Sequence, residues 1–331
     1  MTLLHPAPAT AADGVLCTIR DPRIGESSGL AASASALWTV NDGGGRLRVF
    51  QLDRRTCRVR DTVEADIDPY DVEDLARAAD GTLWLADIGD NGLDRATVAL
   101  ERIAPDGTAT LFRLRYPDGP HNAEALLLTP SGQLLIATKE PLTSTVYTPA
   151  GPLSASGSTP LRRVASLELR PTGTDGGPVG AAGQVLVTGG AVSADGRTVV
   201  LRTYTDAYVW SAPDGDVEAA LTSGDRRRIA LPATEQGEAV AVSADGRHLL
   251  TSTEGVPGPV HQVPLGAAAA EPSAASPSAP SAAPTGRPPA AVGPEPGTDG
   301  GPGELLRTLL LPILGVVALG GLISWLLARR H

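Results

Sequence analysis

The sequence predicts an all-β protein, a β-propeller, tethered to a membrane by one C-terminal helix. Three observations predict it. Short strand-like runs joined by Asp-Gly or Ser-Gly turns recur about every fifty residues. Gly 38 and Pro 29 together make up a fifth of 331 residues, which favours many turns over long helices. A single stretch of twenty residues without a charge lies close to the C-terminus. Aromatic residues are only 3%, so a core has to be built from Val, Leu, Ala and Ile. The formal charge of −10 argues against nucleic acid as a partner. Of the 27 basic residues only Lys139 is a lysine, as expected of arginine codon bias in a GC-rich genome.

Residues 1–13, MTLLHPAPATAAD, carry the small residues of a signal peptidase site but no basic n-region. They read as the remnant of a secretion signal whose true start lies upstream, or as a disordered tail. Residues 14–265 hold the repeat. Its copies are 29–42, 74–90, 125–140, 190–204 and 239–255, each a short apolar strand, a turn and a stronger strand. Anchored on Trp38, Trp84, Leu135, Val200 and Leu250, the spacings are 46, 51, 65 and 50 residues. Two outer strands follow most copies, giving four strands per unit at the period of a WD40-like blade. The last copy has only one further strand, near 259–265, and residues 15–20 can supply the missing one. That closure leaves no long open edge. It counts five blades, with room for a sixth in the long gap around 171–183.

The two cysteines, Cys17 and Cys57, fall on the closing strand and on an outer strand of the first copy. In an oxidising compartment they can form a disulfide near the closure; two buried free thiols are the alternative. Residues 266–303 contain nine prolines and no aromatic, Leu or Ile, so the segment reads as a disordered Ala/Pro/Ser/Gly-rich stalk. Extended in a polyproline-like state it would reach roughly 120 Å. Residues 304–331 form the anchor. The uncharged run 309–328 matches a hydrocarbon core of about 30 Å at about 1.5 Å per residue. Arg329 and Arg330 behind it, against Arg307 in front, place the C-terminus in the cytoplasm and the propeller outside the cell.

Acidic residues gather where first strands begin and second strands end. Glu26, Glu124 and Glu238 precede first strands, and Asp42, Asp87, Asp90, Glu140 and Glu254 end second strands. The densest group is Asp66, Asp68, Asp71, Glu73 and Asp74. Hard oxygen donors at this density suit Ca²⁺, which makes Asp71, Glu73, Asp87, Asp90, Glu124, Glu238 and Glu254 the candidate ligands on one channel rim. The alternative is that these residues only make blade turns. Lys139, Arg202, Tyr204 and Arg95 occupy matching positions, where they could clamp an anionic ligand or neutralise the rim. The DIGDNG run, 87–92, is not an EF-hand loop, because its third position is Gly89 and its twelfth Val98. The formal G-x-S-x-G at 25–29 precedes a strand, not the helix a nucleophile elbow needs. The five histidines form no cluster, and the chain has neither a Walker A nor an H-E-x-x-H motif.

An ordered series of short motifs completes the reading: ESSGLA (26–31) with W-x-x-ND-x-G (38–43), DVEDLA (71–76) with LWLADIGDN, and YPDGPHNAEALL (116–127) with TKE, LRTY, QGEA and TEG. Over residues 15–265 it resembles the secreted actinobacterial β-propellers of the phytase-like and esterase-like group. The resemblance implies a propeller and an extracellular setting. In the phytase branch it also implies phosphate-ester hydrolysis with calcium ions bound at an acidic channel mouth. Where that pattern has TDGA, this chain has Thr188-Gly189-Gly190-Ala191, one carboxylate fewer. The expectation is therefore a surface-displayed binding or scaffold module with a divalent-cation site, taking an extracellular ligand, without catalysis. The alternative is a calcium-dependent phosphate-ester or carboxylic-ester hydrolase.

Overall fold

The computed structural model describes residues 14–43 and 45–266. The expected signal remnant, the anchor and all of the stalk beyond Gly266 lie outside the described residues. Among the described residues no helix is long and apolar enough to cross a membrane.

Strand β1 (Gly14–Ile19) opens the described chain. An antiparallel meander follows: β2 (Ser27–Ala32), β3 (Ala36–Asn41), β4 (Leu47–Asp53) and β5 (Val59–Ala65). The meander recurs as β6 (Val72–Arg77), β7 (Leu83–Asp87), β8 (Val98–Ile103) and β9 (Ala109–Arg115). It recurs again as β10 (Ala123–Leu128), β11 (Leu134–Thr138), β12 (Thr143–Pro149) and β13 (Ser158–Glu168), then as β14 (Val187–Val192), β15 (Thr198–Thr203), β16 (Asp206–Ser211) and β17 (Arg226–Ala230). The final copy has β18 (Val240–Val242), β19 (His248–Thr251) and β20 (Gly258–Pro264), and its fourth strand is β1, which pairs antiparallel with β20, Val15 opposite His261. The first strands touch in sequence, β2 to β6, β6 to β10, β10 to β14, β14 to β18, and β18 back to β2. A closed ring of radially stacked meanders is a propeller-like fold.

The sequence produces this arrangement through two local rules. Second strands such as β11, Leu-Leu-Ile-Ala-Thr, are buried along their whole length, as a strand covered on both faces must be. Hairpin turns repeat one chemistry: Asp195 and Asp245 accept from the backbone N–H of Arg197 and Arg247, while Gly196 and Gly246 take the left-handed φ the turn requires. Apolar wedges then fill the gaps between neighbouring meanders. Val40 and Val49 pack with Leu75 and Leu85 in one wedge, and Leu100 and Leu114 with Leu126 and Ile136 in the next. Cys17 of β1 and Cys57, just before β5, are bridged with a Cα–Cα distance of 5.5 Å, which ties the last meander to the first.

Three features depart from the sequence pattern. A short helix, α1 (Val217–Ser223), sits between β16 and β17, capped by the Asp216 side chain on Ala219 N–H and ended by Gly224 in the left-handed region. The start of β13 pairs in parallel with the end of β9, joining two meanders into one eight-stranded sheet. The long gap holds the 3₁₀ turn Gly180–Val185, and the backbone at Gly177 and Gly183 lies against Tyr204.

Candidate metal centre at the channel mouth

The first strands converge on the ring axis, so side chains there must be small. Gly29 and Gly189 occupy equivalent places: a Cβ would lie 2.5 Å from Leu75 N at Gly29 and 2.6 Å from Glu238 O at Gly189. Ala125 holds the same register in β10. In β6 the position is Asp74, fully buried, whose carboxyl group fills the axis. It accepts the backbone N–H groups of Leu75, Leu126 and Gly190, and so pins three first strands together. Burial raises its pKa well above the usual carboxylate range, against the lowering effect of those three N–H donors.

One residue above this level four of the five first strands carry a bulge. The register slips between Ser27 and Gly29, Val72 and Asp74, Ala123 and Ala125, and Val187 and Gly189. The extra residues are Ser28, Glu73, Glu124 and Thr188, and the repeated AVSADG string aligns Glu238 with Thr188. A second tier follows the second strands: Asp42, Ile88, Lys139 and Tyr204 come directly after them, and Glu254 three residues after β19. Together the two tiers form the mouth. Ligand oxygens of Asp42, Asp71 and Glu73 lie within 4.8 Å of one another. The Gly89 backbone closes in beneath them, where a Cβ would stand 2.2 Å from Asp71 Oδ2 and 2.3 Å from Glu73 Oε1. Lys139 Nζ is ion-paired with Glu124 Oε1 and lies 4.9 Å from the Tyr204 ring centre. The other oxygen of Glu124 and Oε2 of Glu238 are buried and lack a hydrogen-bond partner.

Crowding of carboxyl groups away from water raises their affinity for protons. Burial, then the charge of Asp71, pushes Asp42 well up; burial and Glu124 do the same to Glu73. Glu124 is pushed up to about 8 by burial despite Lys139, and Glu254 to about 7 by burial and Glu238. Burial also raises Asp71 and Glu238.

Of the residues singled out in the sequence, the structure brings Asp71, Glu73, Glu124, Glu238, Glu254, Lys139 and Tyr204 to this mouth. It uses the others differently. Asp87 accepts the backbone N–H groups of Tyr70 and Asp71 and pairs with Arg95, whose guanidinium also reaches Gly89 O and stacks 4.6 Å from the Tyr70 ring. Asp90 closes its own loop by accepting from Asp94 and Arg95 N–H. Arg202 pairs with Gly189, one level below the mouth, and is 1% exposed. Its guanidinium donates to the carbonyls of Thr203, Tyr204, Ala239 and Ser252, and burial lowers its pKa to about 10. It is a brace between strands, with four of its five N–H donors committed to carbonyls. Asp66 and Asp68 are exposed.

Two groups were not read from the sequence as site residues. Asp42 was visible only as a strand end, and its place beside Asp71 depends on the ring bringing two meanders together. Beside the mouth, His121 bridges Glu140 through Nδ1 (2.5 Å) and Asp118 through Nε2 (3.0 Å), with the Tyr147 hydroxyl donating to Asp118. The signal for it was present in the YPDGPHN and TKE motifs; a search for histidines near other histidines passes over a single histidine held by carboxylates.

Fold and site together define a propeller-like protein with a carboxylate-rich, partly desolvated channel mouth. No family model matches the chain and no curated protein matches it, so the resemblance to phytase-like and esterase-like propellers rests on its motifs. Among solved structures, similar ones include a candidate gluconolactonase, 18% identical with a TM-score of 0.43, covering 77% of this chain and 93% of that one. A gluconolactonase from Xanthomonas campestris is 17% identical, with a TM-score of 0.41 over 72% of this chain and 71% of that one. The PQQ-bound aldose sugar dehydrogenase from Streptomyces coelicolor is 12% identical, with a TM-score of 0.41 over 77% and 99%. At these values nothing about the site follows from them.

Proposed function

We propose that residues 14–266 form a five-bladed propeller that binds a divalent cation, Ca²⁺, at the channel mouth and hydrolyses a phosphate or carboxylic ester there. The observation that carries this reading is the convergence of Asp42, Asp71 and Glu73, with buried, unpartnered oxygens on Glu124 and Glu238 beside Lys139. Oxygen-only donors in a flexible acidic mouth fit Ca²⁺, and the Gly89 cradle leaves both carboxylates turned toward one point. When bound, such an ion supplies a Lewis acid for a carbonyl or phosphoryl oxygen. The chain's own residues add the rest. Burial pushes Glu254 up to about 7 and Glu124 up to about 8, so a cation bound beside them would compete with protons. Lys139 keeps a fixed positive charge at the mouth, its pKa raised despite burial by Glu124 and Tyr204.

The apolar run 309–328 and the Pro-rich segment before it support display of this propeller outside the cell on a single membrane-spanning helix. The test of function is a screen of the purified full chain against phosphomonoesters and simple carboxylic esters, with Ca²⁺ or with chelator. Calcium-dependent turnover lost in Glu73→Gln is the expected result. Calcium binding without turnover on any ester would return the protein to a displayed binding module. No calcium effect at all would sink both readings.

A further inference from the structure

Lys139 is the sole lysine in a chain with 27 basic residues. Every other basic residue is an arginine, and the one lysine stands at the channel mouth. The two cations differ physically. An ammonium is a compact point charge with three donors on a flexible stem, whereas a guanidinium is a broad planar fork. Only the former has the size and charge concentration of a small metal ion. At the same tier the ring carries Asp42, Ile88, Tyr204 and Glu254, so the cation is a single event in the repeat. Its side chain is 16% exposed and its Nζ is paired with Glu124. Glu238 and Glu73 also act on it electrostatically.

The mouth therefore has two sides. On one, Asp42, Asp71 and Glu73 bring their oxygens within 4.8 Å of one another. On the other, Glu124 is ion-paired with Lys139 and Glu238 acts on it electrostatically; each glutamate is 3% exposed and keeps one oxygen buried and unpartnered. Those unsatisfied oxygens mark a cation pocket whose ligands outnumber the hydrogen bonds that one ammonium makes.

We propose that Lys139 is a tethered second cation: it fills the Glu124–Glu238 side of a two-cation mouth and restricts the protein to one divalent ion, on Asp42, Asp71 and Glu73. This rests on the reading that the mouth binds a divalent cation at all. A fixed ammonium facing a single exchangeable ion also defines the ligand class, an ester whose oxygen can lie between the two positive charges.

Calcium titration of the purified full chain by calorimetry tests the proposal. One Ca²⁺ per chain is expected for the natural protein. Lys139→Met, which keeps the stem and removes the charge, is expected to bind two; Lys139→Arg is expected to bind one. Two ions in the natural protein, or one in Lys139→Met, would overturn the proposal while leaving the cation reading of the mouth intact. No binding in the natural protein would instead remove the cation reading itself. Should Lys139→Met not fold, two further variants decide. Glu238→Gln is expected to change calcium affinity by no more than about 3-fold, and Glu73→Gln to weaken it by about 30-fold or more. Equal losses in the two would overturn the division of the mouth.

Discussion

A methyl group on Gly89 would occupy the space where the Asp71 and Glu73 carboxylates meet. Gly89→Ala is therefore expected to push them apart, lowering calcium affinity at least about 10-fold and costing about 1–3 kcal/mol of stability. Calorimetry and denaturant unfolding read the two effects separately. Asp74 makes a different contribution, since its carboxyl group is the acceptor for three buried N–H groups on three strands. Asp74→Ala leaves those donors without a partner and is expected to destabilise by about 3–5 kcal/mol. A loss under about 1 kcal/mol in urea unfolding would show that water replaces the carboxylate. The raised carboxyl groups also set a pH dependence. Glu124 and the buried Glu101 are pushed up to about 8, and Glu254 to about 7. Each binds a proton in the folded state at pH values where the unfolded chain has released it. The stability these protons give is complete below about pH 4.5 and is lost as pH rises towards about 8. In chelator the melting temperature should fall between pH 5 and pH 8, and millimolar Ca²⁺ should restore more of it at pH 8. A melting temperature that rises with pH in chelator would contradict the site as drawn. Residue types at this mouth were legible in the sequence, but their direction was not. Strict alternation sets Glu73 and Asp74 on opposite faces of a strand; the bulge between Val72 and Asp74 is what sends one to the mouth and the other to the axis. Asp87 and Asp90 looked like ligands by type, and only the loop backbone shows their oxygens already taken by N–H groups.

At the scale of elements, the link between β1 and the first meander is covalent as well as hydrogen-bonded. Cys17 and Cys57 are separated by 40 residues along the chain. Closing a loop of that size restricts the unfolded chain, so the double variant Cys17→Ser, Cys57→Ser is expected to lose about 2–4 kcal/mol. Unchanged unfolding of the natural protein in reductant would show that the strand pairing alone is sufficient. The hairpins were the most legible elements, because each couples an apolar run with a Ser-Ala-Asp-Gly or related turn whose chemistry is local. Helix α1 was not legible. Val217, Ala220 and Leu221 give it one apolar turn, too short a run to show a period, and its burial against the wedge behind β16 is a tertiary effect. The parallel pairing of β13 with β9 was equally hidden, since it joins two meanders that a repeat reading treats as separate.

At the scale of the whole molecule, the ring is completed by its two ends: β1 supplies the outer strand of the meander that contains β20. Removing residues 14–19 is expected to expose the β20 edge and abolish a single cooperative unfolding transition, which calorimetry would show as broadening or loss of the peak. The closure also sets an order of events for a growing chain. Val15 meets His261, so the first described strand to leave the ribosome has to wait for the last described one. Earlier meanders can collapse as they emerge, but the domain stays an open arc until β20 has been made. If the chain is exported unfolded, as the proposed display outside the cell requires, it meets the same requirement beyond the membrane, where the Cys17–Cys57 bridge can form and fix the seam. Any truncation before β20 leaves β1 without its strand partner, so a fragment differs from the finished domain by an open edge at the seam.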